Sequence, residues 1–287
     1  MNYQASFYPW ITQNVPVQVI TNNINILLRK VEEELLKQTG ETASITLTAA
    51  PNVPSQINAI VKGDVQIAFM NPLGFVFANQ LEPQVKALSV VERLINNVWG
   101  VTYFSQLYTH KKTAITPDNF KSKLKNRAIA FGLPISTSNF IIPAYELKQI
   151  NLNIYSTFNK IEFLGGHDIV ARAVYNGQTD IGAGHDGVII DLSNQYGCGD
   201  ALSALVTLFK SSPIPSDPVA VNIADQTAYQ NLQTAFENAS KTPEGLGAIK
   251  IFWGSGRYLL PADSASYAYL LTAVEELGLR QSDLIST

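Results

Sequence analysis

Few residues in this chain can do chemistry, and most of them sit in turns that join apolar runs. The segment Phe131-Gly132-Leu133-Pro134-Ile135-Ser136-Thr137-Ser138-Asn139 falls between a strand-like run and a helix-like one. A helix start exposes unpaired backbone N–H groups and the positive end of the helix dipole. Three successive hydroxyl residues add side-chain donors, so Ser136, Thr137 and Ser138 can cradle a tetrahedral oxyanion without lysine or arginine. The same residues also suit an ordinary Ser/Thr helix cap. Pro143 removes one N–H from the second turn and can kink it there. His167 follows Gly165-Gly166 after another strand-like run and can donate to an anion; it suits equally a helix-start histidine paired with Asp168 or solvent. His185 and Asp186 lie in Gly182-Ala183-Gly184-His185-Asp186-Gly187, and His110, beside Lys111-Lys112, reads as solvated surface.

These groups do not add up to a catalytic or metal motif. HExxH and His-x-His spacings are absent, which leaves only a bare His167, His185, Asp186 cluster and the expectation of no metal. No GxSxG elbow and no GxxxxGK[ST] loop occurs, so neither an activated serine nor a nucleotide-phosphate loop is expected. Cys198 is the only cysteine, which excludes intramolecular disulfides and CxxC redox chemistry. The expectation is a protein with no catalytic residues and no cofactor.

The elements that must position these turns alternate along the chain. Ala5–Tyr8 reads as a first strand; Asn22–Lys37 carries Ile24, Leu27, Leu28, Val31, Leu35 and Leu36 at helical spacing, with Gly40 placed to stop it. Strands are expected at Ile45–Ala49 and Val65–Phe69, with a helix from Pro54 to Val61 between them. Asn97–Thr109 is about twice a usual strand length, as a strand leaving one sheet for another would be. A second block follows: a helix capped by Thr116-Pro117-Asp118, strands at Arg127–Phe131, Ile161–Leu164 and Thr179–Ala183, and helices to Ile150 and over His167–Asn176. Val206–Phe209 and Val219–Val221 read as the return path, and helical stretches at Gln226–Ser240, Pro243–Phe252 and from Ala262 close the chain. Alternation at this pace indicates βαβ units and mostly parallel sheets.

Composition narrows the class. With 287 residues, two lobes are the default. Charged residues make up 15% and hydrophobic ones 46%, a mix with ample core and no sign of disorder. A net charge of −3 without a basic stripe removes the usual footprint of nucleic-acid binding. No apolar run is long enough to span a membrane. Met1–Trp10 has neither the basic start nor the apolar core of a signal peptide, which fits either a cytosolic protein or a mature chain.

The order of these motifs resembles that of the periplasmic phosphonate-binding proteins of phosphonate/phosphite ABC importers, from about residue 5 to about residue 275. Ser136-Thr137-Ser138-Asn139-Phe140-Ile141-Ile142-Pro143-Ala144-Tyr145 is similar to that family's STSGF-x-x-P-x-Y. Val65–Phe69, Tyr103-Phe104-Ser105, Gly166-His167-Asp168 and Ile214-Pro215-Ser216-Asp217-Pro218 follow in the family's order. The resemblance implies a two-lobed α/β periplasmic binding protein fold (type II, Venus flytrap), each lobe a mostly parallel sheet flanked by helices, with two crossing strands as hinge. Lobe I would comprise 1–104 and 210–287, and lobe II 105–209. It implies a solute-binding protein, periplasmic or anchored outside the membrane, that delivers to an ABC permease and catalyses nothing.

Carried over by position, the resemblance gives Ser136, Thr137, Ser138, Tyr103 and His167 to the phosphonyl oxygens, and Asp186 and Asp217 to an aminoalkyl group. Asp186 stands where the family has a glutamate, one residue off in spacing. Two positions depart: the family's Asp-Tyr turn reads Asn52-Val53-Pro54 here, with Asn52 or Asn71 as substitute donors, and its glycine after STS is Asn139. The ligand expected is a phosphonate, phosphite or phosphate, or alternatively something larger such as thiamine pyrophosphate. An enzyme using His167 with Asp186 is the reading from another class. The family's long C-terminal extension has no counterpart, and a monomer is expected.

Overall fold

A computed structural model describes residues 1–8, 15–95, 98–194, 197–254 and 256–285. The chain forms two compact units, the first from 1–102, 215–269 and 285–287, the second from 103–214 and 270–284.

In the first unit the chain begins with β1 (Asn2–Phe7) and a long helix, Val17–Thr39. Ile20, Ile24, Leu27, Leu28, Val31 and Leu35 make the buried stripe of that helix, and Gly40 ends it in the left-handed conformation, φ 72°, which glycine adopts without strain. Next come β2 (Ser44–Ala49), a helix over Val53–Val61, β3 (Ile67–Phe69), a helix over Pro72–Leu81, β4 (Val85–Ile95) and β5 (Val98–Gly100). The strand β1 pairs in parallel with β2 on one side and β3 on the other. The antiparallel part of the sheet begins with β4, which the sequence reading did not foresee. The long extended run expected over Asn97–Thr109 is broken into β5 and two further strands; Asn97 itself lies outside the described residues.

The chain enters the second unit through β6 (Thr102–Tyr103) and continues into β7 (Ser105–His110). There β8 (Ala128–Phe131), β9 (Lys160–Phe163), β10 (Ile181–His185) and β11 (Leu205–Lys210) complete a sheet of order β11-β7-β10-β8-β9. Both β9 and β10 run parallel to β8, while β7 runs antiparallel to β10 and β11. The helix expected to be capped by Thr116–Asp118 starts later, at Phe120, with Asn119 as cap residue. Asn119 instead accepts the Thr116 N–H through Oδ1 at 2.9 Å, so its side chain closes the turn before the helix. Helix His167–Tyr175 and helix Val188–Asn194 bury Val170, Ala171, Val174, Val188 and Leu192 with Tyr108 and Ala130.

The return runs through β12 (Ile214–Pro215), which pairs with β6, then β13 (Pro218–Asn222) and β14 (Gly256–Pro261). Antiparallel pairing of β13 with β3 and β4, and of β14 with β4, gives the order β14-β4-β13-β3-β1-β2 in the first sheet. Helices Gln226–Lys241 and Pro243–Trp253 pack on the Val17–Thr39 helix, and Phe7, Phe69, Phe236 and Phe252 meet edge-on between them and the sheet. The helix over Tyr269–Glu276 straddles the last boundary, and Leu270–Leu284 belongs to the second unit. No helix among the described residues is long and apolar enough to cross a membrane.

Candidate functional site

Ligands of open α/β sheets bind outside the carboxyl ends of the parallel strands. In the second unit those ends are Phe131, Phe163 and His185, and the chemically competent turns follow directly on each. The turn after β8 is a π-helical segment, Thr137–Ile141, that leads into the Ile142–Gln149 helix. Its wide turn is visible in the Ile141 N–H donating to the Ser136 carbonyl, five residues back, at 3.0 Å. Pro143 explains this local form. Its missing N–H leaves the carbonyls four and five residues earlier without a helical donor. Gly132 N–H supplies the Asn139 carbonyl at 3.3 Å, and Ser105 Oγ on β7 supplies the Ser138 carbonyl at 2.6 Å.

Both sequence-level roles of the hydroxyl triplet are present, on different residues. Ser136 is the cap, its Oγ accepting the Asn139 N–H at 3.2 Å. Ser138 is buried, and among the described residues neither its N–H nor its hydroxyl has a hydrogen-bond partner. Thr137 is buried beside it. Asn139 lays its amide over Gly132, where a Cβ would come within 2.5 Å of Nδ2, so that position requires glycine.

The other two strand ends converge on the same edge of the sheet. Gly165, at φ 95°, turns the chain after β9 and His167 opens the next helix. His167 Nδ1 accepts the His185 N–H at 3.3 Å, and the two rings meet edge-to-face at 4.8 Å. His185 Nδ1 in turn accepts the Gly187 N–H at 3.1 Å, and its Nε2 lies 3.3 Å from Asp191 Oδ2. Asp186 follows and is tied to the start of β7 by its N–H donating to the Phe104 carbonyl at 3.0 Å. The pairing of Ser105 with His185 sets buried Tyr103 at this edge as well. Ser136, Thr137, Ser138, Tyr103, His167 and Asp186 are therefore gathered in one unit. Among the described residues no His/Cys/Asp/Glu group is placed to hold a metal.

Asp217 belongs to the first unit, just before β13. Its Oδ2 accepts from Arg93 Nη2 of β4 at 2.6 Å, with both side chains largely buried. Burial raises the Asp217 carboxyl above the ordinary aspartate range, opposed by the Arg93 guanidinium and by the residue's own backbone N–H. Tyr8, directly after β1, lies in the same electrostatic neighbourhood and hydrogen-bonds the Asn71 side chain; burial and the Asp217 charge push its phenol up. Asn71, after β3, also caps its own helix through Oδ1 to Gly74 N–H at 2.6 Å. Asn52 likewise caps its helix, Oδ1 accepting the Ser55 N–H at 2.8 Å, and Val53 is buried against Gly74. Sequence reasoning missed Arg93, Tyr8 and Ser105. The Glu92-Arg93 pair directly after the apolar Val90-Val91 is the signal that would have drawn attention to Arg93.

Two α/β units threaded by one chain that leaves the first and returns to it, with polar turns at the carboxyl ends of parallel strands, define the type II periplasmic binding protein fold. The family model for the periplasmic substrate-binding protein of phosphonate ABC transporters matches residues 17–267, and the chain belongs to that family. Among curated relatives, the phosphonates-binding periplasmic protein of Escherichia coli K12 is 29% identical over 171 residues, 56% of this chain and 49% of the relative. The phosphate-import protein PhnD of Mycolicibacterium smegmatis is 27% identical over 198 residues, 66% of this chain and 59% of the relative. The chain thus spans about half to three fifths of the length of these relatives. The structure of PhnD1 from Prochlorococcus marinus, solved with methylphosphonate, shares the fold at a TM-score of 0.72 and 18% identity, covering 96% of this chain and 98% of that one.

Proposed function

We propose that this protein is the solute-binding component of an ABC importer and holds a small phosphorus oxyanion, a phosphonate, phosphite or phosphate, without catalysing a reaction. Ser136, Thr137, Ser138, Tyr103 and His167 donate to the anion, with Asp186 at the edge of the same site. The single observation that carries this reading is Ser138, a buried residue whose N–H and hydroxyl are both unengaged at the positive end of a helix. The phosphonates, phosphate and methylphosphonate in the names of its relatives share the tetrahedral PO3 group that such a turn suits. A protein of this kind works outside the cytoplasmic membrane, as a periplasmic or membrane-anchored monomer, and presents its ligand to a permease.

The test is a thermal-shift and calorimetric screen with phosphate, phosphite, alkylphosphonates and thiamine phosphates. A true ligand at a hundred times its Kd stabilises the protein by about 2.7 kcal/mol. Ser138→Ala is expected to weaken that ligand about tenfold or more, through loss of a charge-assisted donor. Silence from every phosphorus compound would remove the function, preference for thiamine pyrophosphate would redirect it to a larger ligand, and an unchanged affinity in S138A would remove the site assignment.

A further inference from the structure

Ser105, which supplies the Ser138 carbonyl, opens β7, is buried, and engages every polar group it has. Its Oγ donates to Ser138 at 2.6 Å, its carbonyl accepts the Ser211 N–H at 2.9 Å, and its N–H donates to Ser211 Oγ at 2.9 Å. The last of these bonds is made in place of a main-chain one. Lys210 pairs with Gln106 at the end of the antiparallel β11–β7 ladder, and Ser211 faces Ser105 just beyond it. Facing residues of a hydrogen-bonded antiparallel pair exchange two main-chain bonds. Here only one is main-chain, and the Ser211 hydroxyl stands in for the second carbonyl. The ladder stays closed while the chain turns away toward β12.

The bonds continue and come back to the same turn. Ser211 Oγ donates to the Ser212 carbonyl at 2.7 Å, and the Ser212 N–H donates to Glu146 Oε1 at 2.8 Å. Glu146 lies on the Ile142–Gln149 helix, into which the Ser136–Ser138 turn leads. The circuit thus leaves the turn at the Ser138 carbonyl and returns to its helix at Glu146. On the way it passes Ser105 and Ser211, close in sequence to the two points, 102/103 and 214/215, where the chain changes unit. Ser105 and Ser211 are buried and Ser212 is exposed, so the Ser105–Ser211 bonds are the strong link and the Glu146 bond the weak one. Hydrogen bonds in a chain polarise one another in a low-dielectric interior, so tightening at one end is felt at the other.

We propose that Ser211 is a positioning residue for the anion turn, acting through Ser105, and that this circuit makes both crossing segments respond when an anion occupies the turn. The proposal rests on the phosphorus-oxyanion reading and adds how occupancy is passed on within the second unit.

Hydrogen exchange read by mass spectrometry tests it on the purified protein, alone and with saturating phosphate or methylphosphonate. In the wild type the bound anion is expected to slow exchange about tenfold or more in 136–142, and also in 103–106 and 210–214. Ser211→Ala leaves the Ser105 N–H buried without an acceptor. It is expected to bind about tenfold more weakly and, once saturated, to gain no protection at 210–214. Ser211→Thr keeps the hydroxyl and is expected to restore both. Wild-type affinity and undiminished protection at 210–214 in S211A overturn the proposal. So does a wild type whose crossing segments ignore the bound anion, the readout that remains should S211A fail to fold. If neither anion binds, the functional reading falls, and the positioning role is judged on the ligand-free protein. Faster exchange of 136–142 in S211A than in the wild type upholds that role, and equal exchange overturns it.

Discussion

The histidines show how backbone donors can set the chemistry of a ring. A neutral imidazole has one N–H and one lone-pair nitrogen, and a donor facing one nitrogen fixes which is which. His167 Nδ1 faces the His185 N–H, and His185 Nδ1 faces the Gly187 N–H. Both rings are thereby held as the Nε2–H tautomer, which leaves His167 a neutral donor and directs the His185 Nε2–H toward Asp191. Nitrogen-15 NMR on the imidazole rings should show both in the Nε2–H form near neutral pH. An Nδ1–H signal for His167 would contradict the hydrogen-bond assignment.

At the scale of elements, legibility followed local signals and failed where pairing was needed. The turns after β8, β9 and β10 were visible because glycine and hydroxyl residues interrupt apolar runs, and the Val17–Thr39 helix was visible from its period. The strand β4, Val-Lys-Ala-Leu-Ser-Val-Val-Glu-Arg-Leu-Ile, mixes charges into its apolar run and was not recognised. Arg93 and Glu92 are answered by residues more than a hundred positions away, Asp217 and Arg257, which no local pattern reports. Arg93 was lost with its strand, and with it the account of Asp217. The π-helical turn was likewise not legible as such, although Pro143 hinted at irregularity; what makes it stable is Ser105 on a distant strand. Ser105→Ala removes the donor to the Ser138 carbonyl and leaves a buried acceptor unpaired, at a cost of about 1–3 kcal/mol. Denaturant unfolding of S105A should show that loss, together with weaker ligand binding than wild type as the turn loosens. A variant with unchanged stability and affinity would mean that the turn holds itself.

For the whole molecule, the least expected feature is the last stretch of chain. The sequence reading closed the protein within the first lobe, from residue 210 onward, whereas the contacts divide the chain at 102/103 and 214/215 and then hand Leu270–Leu284 to the second unit. Local pattern could not reveal this, since an amphipathic helix does not name the surface it covers. Leu270, Ala273, Val274 and Leu284 are buried, Gln149 Nε2 donates to Glu276 Oε2 at 2.7 Å, and Lys148 Nζ donates to the Glu276 carbonyl. Lys148 and Gln149 close the helix that begins just after the Ser136–Ser138 turn, so the segment braces the far end of the element carrying the candidate anion site. Fully burying a leucine or valine stabilises by roughly 1.5–3 kcal/mol, so three such side chains make removal of the segment cost about 5–9 kcal/mol, an upper bound for burial counted from an extended chain. A chain ending at Tyr269 should therefore melt well below the full-length protein in differential scanning calorimetry. The loss should fall on the second unit: hydrogen exchange should rise in β8, β10 and the Ile142–Gln149 helix, while β1–β3 keep their protection. Loss spread equally over the first unit as well, or an unchanged melt, would overturn this bracing role.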